Sequence, residues 1–216
     1  MRAAVWAQVT RGAIQPAAFS AGVGLLAGSA TIGTAEMAFG LGRTIGVQML
    51  QILVLGQMAG FVAALLLVAG AGTAAVFEVG RMQLQGELRT LRLMGVDPVD
   101  FLVLPRIIGF GLSLFLLTLA FQVGAALGGA AVVAAVSQLT FSQLMAALIA
   151  GLAPRFVLWS AAQSLVLGGL IGALVCREGL ARKFSVDDLP RIARQLLARS
   201  LVIVVVVQGA AAVLVP

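Results

Sequence analysis

The chain has no histidine and no tyrosine, and only one cysteine and one lysine in 216 residues. Without an imidazole there is no histidine metal ligand, no histidine acid–base catalyst and no Ser-His-Asp triad. Cys176 alone cannot close an internal disulfide, and at the end of an apolar run it reads as a small packing residue. Charge is scarce as well: 10% of residues are Asp, Glu, Lys or Arg, against about 25% in soluble domains. No GxxxxGK[ST] run occurs, so the chain does not cradle nucleotide phosphate. No carboxylate pair sits in an apolar setting, and no nucleophile has a base beside it. The expectation is a protein that is not an enzyme, with no catalytic residue, no metal site and no cofactor of its own.

What is present is apolar sequence. Hydrophobic residues make up 61% and mean hydropathy is +1.11. The polar surface is too small to cover a water-facing fold, so the expected class is an all-α polytopic membrane protein, one domain over residues 1–216. Net charge is +6, almost all from arginine. The arginines lie scattered between apolar runs, a pattern that orients a chain in a bilayer rather than one that binds nucleic acid.

In chain order, residues 1–16 suit a short interfacial helix anchored by Trp6, with Val5 and Val9 on the same side and Arg2 and Arg11 flanking. The competing reading is a signal peptide with a small-residue site at Gly28-Ser29-Ala30. The first span is expected over 17–41. It contains Glu36, which must face protein, water or the interface because an ionised group in hydrocarbon costs about 3 kcal/mol on insertion scales. Glu36 either reaches the interface near Arg43 or lines a substrate cavity. The second span, 47–76, is longer than the roughly 20 residues a crossing needs. It is therefore tilted, protruding, or broken near Gly70-Ala71-Gly72. The third is expected over 107–136. The fourth covers 144–176 with a bend near Pro154, and the fifth covers 196–215. Leu201 to Val207 would favour a strand in water but is acceptable as a bilayer helix.

Two stretches interrupt the apolar pattern. Residues 77–106 hold four basic and four acidic side chains, and residues 177–199 hold six and three. With five spans, these stretches and the N-terminus fall on one side of the membrane and carry twelve of the fourteen Lys/Arg. The positive-inside rule then places the N-terminus in the cytoplasm and the C-terminus outside. Within the first stretch, residues 81–95 read as one amphipathic helix. Leu84, Leu88, Leu91 and Gly95 share a face, Arg81, Gln85, Arg89 and Arg92 share the next, and Gly95 caps the end. By itself that pattern fits a helix lying on lipid headgroups as well as one docking on a protein. Glu78 and Arg81 are spaced i, i+3 and could brace the junction with the second span. GxxxG spacings at Gly42/Gly46, Gly56/Gly60, Gly124/Gly128 and Gly168/Gly172 favour close helix approach.

The run Glu78-Val79-Gly80, then Glu87, then Leu93-Met94-Gly95-Val96-Asp97-Pro98 and Pro105-Arg106, resembles the MlaE-type permeases of ABC lipid transporters. Leu55-Gly56 and the segment from Ala63 to Gly72 fit that family's preceding span. The chain departs from the family pattern at Gln57, Ala71 and Arg92, so it resembles a divergent member. The resemblance implies a bacterial inner-membrane permease that pairs with a second copy or a paralogue. It implies a cytoplasmic P-loop ATPase that binds the ATP and magnesium, and a periplasmic MCE-domain partner. The cargo would be phospholipid or a similar apolar lipid. The 81–95 helix becomes a coupling helix, with Glu87, Leu88, Arg89, Leu91, Arg92 and Met94 as the ATPase contact. Glu36 is the candidate for the substrate cavity. The alternatives are a structural or assembly subunit that transports nothing, and a small ion-coupled transporter using Glu36.

Overall fold

The computed structural model describes residues 9–10, 13, 15–39, 56–87, 93–94, 103–136, 154–181 and 189–214. These residues are helical apart from short turns, and among them there is no strand. Among the described residues six α-helices form the bundle: α1 (Gln15–Phe39), α2 (Ala59–Leu67), α3 (Thr73–Leu84), α4 (Leu104–Val136), α5 (Pro154–Ala181) and α6 (Leu189–Leu214). A π-helical turn, Val68–Gly72, joins α2 to α3 without interrupting the rod. Among the described residues four stretches are long and apolar enough to cross a membrane: Gly56–Leu84, Leu104–Val132, Leu158–Leu180 and Arg194–Ala211.

Where side chains meet fixes the relative directions. Gly24 and Gly28 of α1 lie against Phe121 and Ala125 of α4, while Gly124 and Gly128 lie against Ala21 and Leu25. Residue numbers rise together, so α1 and α4 run parallel. A Cβ on any of these four glycines would strike a backbone carbonyl. Bare backbone on both sides lets the two helices approach more closely than side chains would allow, which is how membrane helices gain dispersion energy. The Ser20 hydroxyl adds a hydrogen bond to the Leu117 carbonyl at 3.0 Å. Gly168 and Gly172 of α5 meet Phe110, Gly111 and Ile107 of α4 in the reverse order, so α4 and α5 are antiparallel. Every consecutive pair of long rods runs antiparallel, as a chain crossing back and forth requires. Phe110, Leu114 and Leu117 of α4 sit at the centre, packed with Leu67, Val68, Leu167, Ile171, Val175 and Leu196.

Several boundaries differ from the sequence reading. The second rod runs to Leu84 rather than stopping at residue 76, and residues 47–55 lie outside the described residues. Its glycine-rich middle is absorbed as the π-turn instead of a break, with the Thr73 hydroxyl donating to the carbonyls of Ala69 and Gly70 at 2.8 and 3.0 Å. The helix expected over 81–95 is not one rod. Residues 81–84 are the last turn of α3, and the chain then turns at Gly86 with φ +73°. The amides of Gln85 and Gly86 bond back to the carbonyls of Arg81 and Gln83 at 3.0 and 3.1 Å. A left-handed glycine just past the last helical residues is a helix stop, so α3 is capped at Gly86; Leu88, Leu91 and Gly95 lie outside the described residues. α5 is described from Pro154 onward, and the segment 144–153, with the bend expected near Pro154, lies outside the described residues. The fourth rod continues past Cys176 to Ala181. The last begins by Leu189, seven residues before the expected start at 196. Val9 and Ala13, expected on a helix lying in the interface, are buried in the bundle core; most of residues 1–16 lie outside the described residues.

Candidate functional site

Two layers of polar contacts cross the bundle. The first lies where α3 ends, α4 begins, α5 ends and α6 begins. Arg106 stands in the first turn of α4, nearly buried. Its guanidinium pairs with the Glu78 carboxylate of α3 at 2.9 Å and donates to the Ala75 carbonyl at 3.1 Å. A fork of this kind can hold a carboxylate and a carbonyl together, so α3 and α4 are clamped at two points. Glu178 of α5 is buried and pairs with Arg199 of α6. The Gln83 side-chain amide donates to the Leu180 carbonyl at 2.7 Å, tying α3 to α5. Three contacts thus lock all four membrane-crossing rods at one end. Each ion pair has one buried and one half-exposed member: Glu78 is 50% exposed and Arg199 53%.

The expected interface residues gather at this same end. Arg81, Gln85 and Glu87 are exposed, as are Leu84, Leu93 and Met94. Leu84 and the charged Arg81 and Glu87 therefore lie exposed around the Gly86 turn. Leu88, Arg89, Leu91 and Arg92 lie outside the described residues. Glu78 is aimed at Arg106 across the helix pair, and not along its own helix at Arg81. Glu36 falls in the last turn of α1, at the end opposite the ion pairs, because α1 runs parallel to α4.

The second layer is uncharged and lies toward that other end. The Gln122 amide of α4 donates to the Ser160 hydroxyl of α5 at 2.8 Å. Gln163 of α5 donates to the Gln208 carbonyl oxygen of α6. The Gln208 side-chain amide also lies against Gly60 of α2, where a Cβ would displace it. By helical rise this layer is roughly 14–27 Å from the ion pairs. Sequence reasoning gave no role to Arg106, Glu178, Arg199 or these glutamines. The available signal was polar residues isolated in apolar runs, which must find partners inside a bilayer.

Alternating apolar rods with a locked ionic end define a multi-pass membrane protein. The profile of the family described as Permease MlaE matches residues 5–214, and the chain belongs to that family. It is 30% identical over 142 residues, 65% of its length, to the chloroplastic protein TRIGALACTOSYLDIACYLGLYCEROL 1 of Arabidopsis thaliana. It is 34% identical over 80 residues, 37% of its length, to a "Probable ABC transporter permease protein" of Synechocystis. The matches cover 40% and 30% of those relatives, so the aligned part is less than half of either.

Proposed function

We propose that the chain is the permease subunit of an ABC transporter. It moves phospholipid or a similar apolar lipid between the inner membrane and an MCE-type periplasmic partner, and a separate cytoplasmic ATPase drives the movement. The observation that carries this reading is the family match across nearly the whole chain. The name of the Arabidopsis relative contains a diacylglycerol lipid, and the Synechocystis relative is described as an ABC permease. Both support lipid as cargo and ATP as drive.

In this reading α1 is the first of five spans, the N-terminus and the ion-paired end face the cytoplasm, and the C-terminus is periplasmic. The concentration of basic residues in the connections at that end supports the orientation. The ATPase docks on the segment after Gly86, through Glu87, Leu88, Arg89, Leu91, Arg92 and Met94. The helices flanking that segment are α3 and α4, which the Arg106 fork clamps together. A push on the segment therefore reaches both as one body, and the Gln83 and Glu178 contacts pass it to α5 and α6. A second copy or a paralogue completes the lipid cavity, to which Glu36 contributes.

Co-purification tests the reading. The gently extracted wild-type chain is expected to carry a P-loop ATPase, and Glu87→Arg combined with Leu88→Asp is expected to release it while the permease stays folded. An intact wild-type preparation without ATPase would overturn the proposal.

A further inference from the structure

A small cavity lies within the uncharged layer, where α2, α4, α5 and α6 meet. Its polar lining is Thr118, Ser160, Gln163, Ser164 and Gln208, with Gly60 and Leu167 among its walls. The volume open to the centre of a water molecule is about 10 Å³, the space of roughly one water, which needs two to four polar partners to stay. No lipid headgroup or acyl chain fits that space.

The lining groups have hydrogen-bonding capacity left over. Thr118 and Ser164 spend their hydroxyl hydrogens on the carbonyls of Leu114 and Ala161, at 2.8 and 2.9 Å, and keep oxygen lone pairs. Ser160 accepts from Gln122 and keeps its own hydrogen. Gln208 accepts from Gln163 through its oxygen and keeps its amide hydrogens. The lining therefore offers both acceptors and donors, the complement of a molecule that donates twice and accepts twice. Thr118, Ser164 and Gln208 are each more than nine-tenths buried, so what they bind is held inside the bundle.

We infer that this cavity is a binding site for one water molecule that bridges α4, α5 and α6. The water donates to Thr118 and Ser164 and accepts from Ser160 or Gln208. Such a bridge exchanges partners at little cost, so it satisfies the layer while the helices shift against one another. The site does not depend on whether the chain transports lipid.

Radiolytic hydroxyl-radical footprinting of the full chain in lipid nanodiscs tests it, because radicals born from bound water oxidise the side chains beside it. Leu167 walls the cavity and is 1% exposed, whereas Leu117 is 0% exposed and does not wall it. Leu167 is expected to be oxidised several-fold faster than Leu117. Thr118→Val with Ser164→Ala, which removes both acceptors, is expected to bring Leu167 down toward Leu117. Equal rates for the two leucines in the wild-type chain would overturn the site, and that comparison holds even if the double variant fails to fold. An unchanged Leu167 rate in a folded double variant would overturn the assigned partners.

Discussion

The two polar layers hold the same helices in different ways. At one end two of the three contacts are ion pairs made by arginine: Arg106 grips α3, and Arg199 reaches Glu178. Toward the other end every contact is neutral and comes from glutamine, serine or glycine backbone. A charge pair at the membrane edge resists separation because its buried member cannot be left alone. An amide pair in apolar surroundings contributes only about 0.6 kcal/mol on average and finds other partners easily. The difference gives the bundle a stiff end, next to the connection proposed to meet the ATPase, and a more yielding end far from it. Under an applied push the helices are expected to separate at the glutamine layer before the ion pairs part.

The largest loss should come from neither layer but from the glycine seam between α1 and α4. Gly124→Leu or Gly28→Leu sets a side chain against a carbonyl of the facing helix, and overpacking that only backbone could relieve costs about 3 kcal/mol or more. Loss of monodisperse protein on size exclusion after mild heating checks it. If either variant is as stable as wild type, α1 and α4 are not in close contact and the placement of α1 needs revision.

Next come the ion pairs, where loss of the exposed partner should do more harm than loss of the buried one. Arg199→Leu leaves the buried Glu178 carboxylate with one partner fewer, and Glu78→Leu leaves Arg106 with the Ala75 carbonyl. Each is expected to cost about 3 kcal/mol, the lower end for breaking a buried pair. Glu178→Leu and Arg106→Leu leave half-exposed charges that rehydrate, and should cost clearly less. Unfolding in mixed detergent–dodecyl sulfate micelles ranks the four variants; the reverse order would break the picture of a stiff end.

Gln163→Leu or Gln208→Leu should cost about 1 kcal/mol or less in the same assay. A cost as large as that of Arg199→Leu would erase the contrast between the layers. Gly86→Ala is expected to cost a similar amount, about 1 kcal/mol from placing a Cβ at a positive φ. Its consequence should show as weaker ATPase retention rather than as global instability.

The sequence by itself determined the class. Runs with almost no charge can only be helices in a bilayer, since strands there would leave backbone groups unpaired unless closed into a barrel. It also determined that residues 77–106 and 177–199 belong to one end, because rods that cross alternately bring every second connection together. It misjudged where that end is built. Leu84 to Gly95 has the spacing of a single amphipathic helix, yet Gly86 stops the rod after Leu84; a period of 3.6 residues cannot reveal a glycine that adopts positive φ. Partner choice was equally hidden. Glu78 has Arg81 one turn away along the chain, but packing α3 against the first turn of α4 brings Arg106 to 2.9 Å. Gln163 and Gln208 could be recognised in the sequence as needing partners, but not as partners of each other. Which polar groups meet depends on how closely the helices approach. That approach is set by glycines on facing rods, a property of the assembled bundle and not of any one segment.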